Sequence, residues 1–188
     1  MTKLRLRVLA CLCAGFLLNA SFASPQRHRD PFTQAEIDQI RDTSWEPQLR
    51  LGLYVKFARA RLVAMEQARS DPKTKNRAQV THDRLDDFLL IYDELNDNID
   101  TYVDRQDDIR KPLKVIMDAD TEFVAKLLAL RDAASVSSAE AQQYEFVLSE
   151  ALHTLDGSAE DHRKLMAEQE EVAKHRKKPA SQSGTRSE

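Results

Sequence analysis

The chain has 188 residues, with 28 Lys+Arg against 31 Asp+Glu. That is one domain's worth, long enough for a real core. Two cysteines and four glycines are too few for a disulfide framework or a fold of many tight β-turns, and no stretch approaches the roughly 20 apolar residues of a membrane-crossing helix. The slight acidity argues against a nucleic-acid binder, which concentrates basic charge on one face.

The first two dozen residues have three parts. Lys3, Arg5 and Arg7 are charged, Val8 to Leu18 are apolar, and Ser21-Phe22-Ala23 puts small residues where a signal peptidase reads them. Cleavage is therefore expected between Ala23 and Ser24, and the chain is expected to be exported, periplasmic or secreted. Processing removes three cations and both cysteines, Cys11 and Cys13, leaving 165 residues with 25 Lys+Arg against 31 Asp+Glu. Val8-Leu9-Ala10-Cys11 loosely matches a lipid-attachment box, but three apolar residues after Arg7 are too short a run for that processing.

Residues 24–32 read as a flexible leader. A first, short helix opens at Thr33, whose hydroxyl and the carboxylate of Glu36 have the spacing of a capping box, with Phe32 and Ile37 placed for a hydrophobic staple. It should end near Thr43, ahead of Pro47. Pro47 suits the first turn of a second helix, where its missing N–H is not needed. Leu51, Val55, Ala58, Leu62 and Met65 give this helix one apolar stripe, ending near Arg69 before Asp71-Pro72. The third helix, about Thr74 to Arg105, has the longest pattern: Ala78, Thr81, Leu85, Phe88, Tyr92, Leu95, Ile99 and Tyr102. The fourth carries Leu113, Ile116, Asp120, Phe123, Leu127, Leu130 and Ala134. A second capping box, Ser137 to Glu140, opens a long fifth helix with Ala141, Tyr144, Leu148, Ala151, Leu155, His162, Leu165 and Val172 on its stripe. Gly157-Ser158 is either a weak point inside that helix or a break capped by Ser158. The helix runs out at residues 174–178 among cations that suit its negative end, and residues 179–188 read as disordered.

Short connections make sequential helices antiparallel neighbours, so the expected fold is all-α: an antiparallel up-down-up-down bundle over residues 33–178 with a short leading helix. The fifth helix should project past the fourth, and the first helix, through Phe32, Ile37 and Ile40, should cover Leu165, Met166 and Val172 there.

Chemistry-bearing motifs are sparse. Glu150 and His153 have the Glu-x-x-His spacing of di-iron bundles, but such sites need two copies and these residues fall off the stripe. No cofactor motif, nucleophile elbow or phosphate loop is present, so no catalytic, cofactor or metal residue is assigned. His162 lies on a stripe, either filling the ragged end of the bundle or making a pH-sensitive contact with the turn of Asp104, Asp107 and Asp108. Asp120 falls between Ile116 and Phe123. Either it faces inward and must find donors, from Asn96, Gln48 or Trp45, or Ala119 takes that place and Asp120 moves to the margin. A polar layer at Asp120 would fix the register of otherwise repetitive stripes.

Asp93, Asp97, Asp100 and Asp104 continue a line begun by Asp83 and Asp86, and form either a solvated face or a docking strip for a basic partner or for loosely held divalent cations. Phe88-Leu89-Leu90-Ile91-Tyr92 is apolar all round. A second neighbouring helix covers it, or Leu90 and Ile91 form a patch for another chain or for self-association. Together these features point to a non-enzymatic interaction, scaffold or chaperone-like protein of the bacterial cell envelope; a bundle binding metal or a small ligand is the alternative.

Overall fold

The computed structural model describes residues 30–133 and 136–177, so the leader with its cleavage site at Ala23 and Ser24, and the tail 179–188, lie outside the described residues. Every described element is a helix: α1 Gln34–Asp42, α2 Pro47–Ser70, α3 Arg77–Asp104, α4 Arg110–Arg131, α5 Ser138–Ala141 and α6 Glu145–Lys177. None is long and apolar enough to cross a membrane.

The helix starts are largely those the residues dictate. Thr33 accepts from the Glu36 backbone N–H while the Glu36 carboxylate accepts from that of Thr33, so the first capping box closes on both sides. Pro47 occupies the first turn of α2. At Ser137 only half the second box forms. Its hydroxyl accepts from Glu140, but the Glu140 carboxylate turns to Arg69 of α2, 3.1 Å away. A cation on another helix outcompetes the local cap.

The long helices pack in four side-by-side pairs: α2 with α3, α2 with α4, α4 with α6, and α3 with α6. Hydrogen bonds give their directions. Arg50 reaches Asn98 and Arg69 reaches Thr81, so α2 and α3 run antiparallel. Arg59 meets Glu122 and Glu66 meets Lys126, making α2 and α4 parallel. Helices α3 and α4 therefore sit diagonally and meet only through long side chains, as where Phe88 and Phe123 pack edge to face at 5.3 Å between centroids. The expectation that all sequential helices are side-by-side neighbours fails for this pair, because the turn at residues 105–109 sends the chain across the bundle.

Two further expectations are corrected. The last helix is not continuous from Ser137: α5 stops after one turn and the chain breaks at residues 142–144, whereas α6 runs unbroken through Gly157, as a weak point inside a helix allows. Residues spent on α5 do not advance along α6, which displaces α6 against α4 by about two to three turns from the expected register. Gln169 consequently lies beside Ile109 and shortens the overhang. Helix α1 does not cover Leu165, Met166 and Val172; it folds back on α2. Phe32 packs edge-on against Tyr54 and Phe57, and Arg61 of α2 binds the carbonyl of Pro31 and both carboxylate oxygens of Glu36. Val172 is left half exposed.

The core runs the length of the bundle, from Met65, Ala78 and Tyr144 through Phe88, Tyr92 and Phe123 to Tyr102, Ile109 and Leu113. Leu89 and Ile91 are buried with Phe88 and Tyr92. A second neighbouring helix covers the all-round apolar run, so Ile91 is core and not part of an exposed patch; only Leu90 keeps partial exposure.

Candidate functional site

Midway along the bundle the apolar core is interrupted by a layer of polar side chains from three helices. Tyr92 and Asn96, four residues apart on α3, project from one face, as do Ser158 and His162 on α6. Asp120 enters from α4. Its side chain is 3% exposed and that of His162 5%. The Tyr92 hydroxyl donates to Asp120 Oδ1 at 2.7 Å, and His162 Nδ1 lies 2.8 Å from Oδ2. The other ring nitrogen, Nε2, is 3.2 Å from Asn96 Oδ1, and the Asn96 amide donates to Ser158 Oγ at 3.0 Å. Both ring nitrogens of His162 thus have partners within the layer.

This layer settles the alternative left open at Asp120. The carboxylate faces inward and Ala119 is buried beside it, because a helix edge between two neighbours has room for both. Of the three proposed donors, Trp45 is 84% exposed and Gln48 is exposed. Asn96 is present, bound to His162 and not to Asp120. His162 sits in the middle of the bundle, away from the turn of Asp104, Asp107 and Asp108; the displacement of α6 brings it level with Asp120. Sequence reasoning missed the Tyr92 hydroxyl. The available signal was that a tyrosine on a core stripe must find a partner for its O–H.

Electrostatics fit a closed network. Burial, then the Asp120 charge and hydrogen bond, push the Tyr92 phenol far above its ordinary value, so it remains a donor. Each Asp120 oxygen already has a partner, and the adjoining Phe88 and Phe123 rings leave the layer apolar on that side. On its other side the layer borders a surface groove of about 370 Å³, walled by Asn96, Ser158 and His162 with Asp100 and Asp161 beside them.

The acidic line on α3 is exposed at Asp86, Asp93, Asp97, Asp100 and Asp104, and half-buried at Asp83. Partial burial, then the charges of Asp97, Glu150 and Glu94, push the Asp93 carboxyl upward. Glu150 and His153 are exposed, as their position off the stripe required. Among the described residues no three His, Cys, Asp or Glu groups stand together as a metal site would need. A second groove, of about 500 Å³, opens where the α3–α4 turn meets the end of α6, lined by Val103, Leu165, Val172 and Ala173 among polar neighbours.

No family model, curated protein or solved structure matches this chain.

Proposed function

We propose that the chain is an exported, non-enzymatic interaction or scaffold protein, chaperone-like in working through its outer faces, in the bacterial cell envelope. In this reading the four long helices form an up-down-up-down bundle whose α3–α4 link crosses the diagonal. One observation carries it: the polar groups inside the bundle are spent on each other, Asp120 on Tyr92 and His162, and His162 on Asn96. Reactive chemistry needs a group free to meet a substrate, and this layer is tied into the packing of three helices. The surface, in contrast, carries an uncompensated row of carboxylates at Asp93, Asp97, Asp100 and Asp104, suited to a basic partner. The three-part leader supports export.

Two measurements test the reading. N-terminal sequencing of the chain from its native compartment should begin at Ser24; an intact leader or a lipid-modified Cys11 overturns export. Cross-linking in the envelope fraction should join the chain to a basic protein, and replacing Asp93, Asp97 and Asp100 by Asn should lower the yield while the fold persists. An unchanged yield removes the acidic face from the reading.

The groove beside His162 favours a second reading, a small polar ligand held against Asn96 and Ser158. Absorbance and metal analysis of protein from its native compartment separate the two readings.

A further inference from the structure

The end of the bundle formed by the α3–α4 turn and the last turns of α6 is one place where apolar surface stays open, besides the exposed Trp45, Leu49, Val115 and Phe146. Val172 is 50% exposed, and the groove beside it continues through Ala173 to Leu165 and Val103. Helix α1, expected from the sequence to cover this surface, is fastened to α2 by Arg61. The charge order of α6 at this point is unusual. Glu168, Glu170 and Glu171 precede Val172, and Lys174, Arg176 and Lys177 follow it. The segment is acidic on one side of Val172 and basic on the other.

We propose that this end of α6 docks against the same segment of a second copy of the chain, antiparallel, with Val172 on the two-fold axis. Antiparallel pairing about residue 172 sets each position opposite the one equally far beyond Val172. Glu168 then meets Arg176 of the second copy, and the contact is repeated by symmetry. Glu168, Val172 and Arg176 are spaced by four, so they share one helix face, and all three line the groove. Ala173, small and adjacent, lets the two backbones approach. A parallel arrangement would oppose Glu168 to Glu168 and Arg176 to Arg176, so the charge order selects the antiparallel one. The contact spans some ten residues of each helix, which makes it a weak, transient interface. The inference does not rest on export or on the acidic face of α3, and its test uses purified protein alone.

Sedimentation equilibrium of the chain, from about 10 μM to about 1 mM, should show a reversible monomer–dimer equilibrium. Val172→Asp puts two like charges on the axis and should abolish it. Glu168→Arg should weaken dimerisation about tenfold or more, because two Arg–Arg oppositions replace two ion pairs. The double variant Glu168→Arg with Arg176→Glu restores complementarity and should recover the wild-type constant. Circular dichroism should be unchanged in all three, since the substituted side chains are exposed. A monomer at every concentration, a dimer indifferent to Val172→Asp, or a double variant no better than the single one overturns the proposal. Dimerisation seen only after residues 178–188 are removed would make the chain's own tail the occupant, and would overturn it equally.

Discussion

Two buried pairs of ionisable side chains in this bundle are built differently. Asp120 and His162 face each other at the centre, with partners on α3, α4 and α6. Arg61 and Glu36 lie at the edge, with side chains 11% and 13% exposed, joining α1 to α2 alone. In the centre the pair is surrounded by Phe88, Tyr92 and Phe123, so any slip of α6 against α4 leaves Asp120 Oδ2 without its partner. At the edge a broken pair can be rehydrated. The same chemistry therefore fixes register in one place and fastens a removable element in the other.

The largest expected effect follows from the central pair. Asp120→Ala leaves the Tyr92 hydroxyl and His162 without their acceptor and should destabilise the whole bundle by about 3 kcal/mol in denaturant unfolding. A change within about 0.5 kcal/mol would mean the layer does not hold the register. Next comes the edge. Arg61→Ala should cost only about 1–2 kcal/mol, concentrated in α1. Limited proteolysis should then cut near Arg41 while α2 to α6 stay intact; simultaneous loss of all helices would make α1 part of the core unit.

The edge pair also has a pH signature. Burial pushes the Glu36 carboxyl up, but the Arg61 hydrogen bond, the Thr33 backbone N–H and the Arg61 charge outweigh it, and the net direction is below the ordinary 4.5. A depressed carboxyl contributes stability that is complete above its unfolded value and lost as pH falls through the folded one. Helix α1 should therefore loosen below about pH 4.5, visible as loss of the contact between Phe32 and Tyr54 in nuclear Overhauser spectra, and Arg61→Ala should flatten that dependence.

The sequence made the helices legible because heptad-like stripes and caps act locally. The stripes Ala78 to Tyr102 and Leu113 to Leu130 are readable from spacing alone and every one of their residues is buried, with Leu89, Ile91 and Ala119 buried beside them. What it left unread is relational. The break at residues 142–144 has no Gly or Pro to mark it, while Gly157, which does look like a break, is carried through by the packing of Ala151, Leu155 and His162 on either side. The unread break shifts α6 by about two to three turns and brings His162 level with Asp120. Both members of the polar layer were visible as polar residues on apolar stripes; only their juxtaposition was not. Arg61 left no signal, since an arginine beside a stripe is ordinarily a surface residue.

Gly157 gives a smaller and opposite test. A Cβ placed there meets nothing within 4 Å, and the residue is inside α6 at ordinary helical φ. Gly157→Ala should stabilise the chain by about 0.5–1 kcal/mol through the unfolded state and helix propensity. Destabilisation would show that α6 needs a bend at this point after all.

The smallest expected change belongs to the acidic line of α3. Asp93, Asp97 and Asp100 repeat at steps of four and three, so their charges repel along one exposed face. Partial burial pushes the Asp93 carboxyl up most, and the charges of Asp97, Glu150 and Glu94 add that repulsion to it. A carboxyl raised in the folded state is a group whose ionisation opposes folding, so its penalty grows as pH rises past the ordinary 3.8 and vanishes in acid. Replacing the three by Asn should leave stability at pH 7 unchanged or raised, by no more than about 0.5 kcal/mol because water screens the row, and the gain should shrink near pH 3. Measured against Asp120→Ala, this separates carboxylates that the fold depends on from carboxylates it merely tolerates. A loss above 1 kcal/mol on the surface triple would move that row into the first class, and would leave the bundle no acidic face free for a partner.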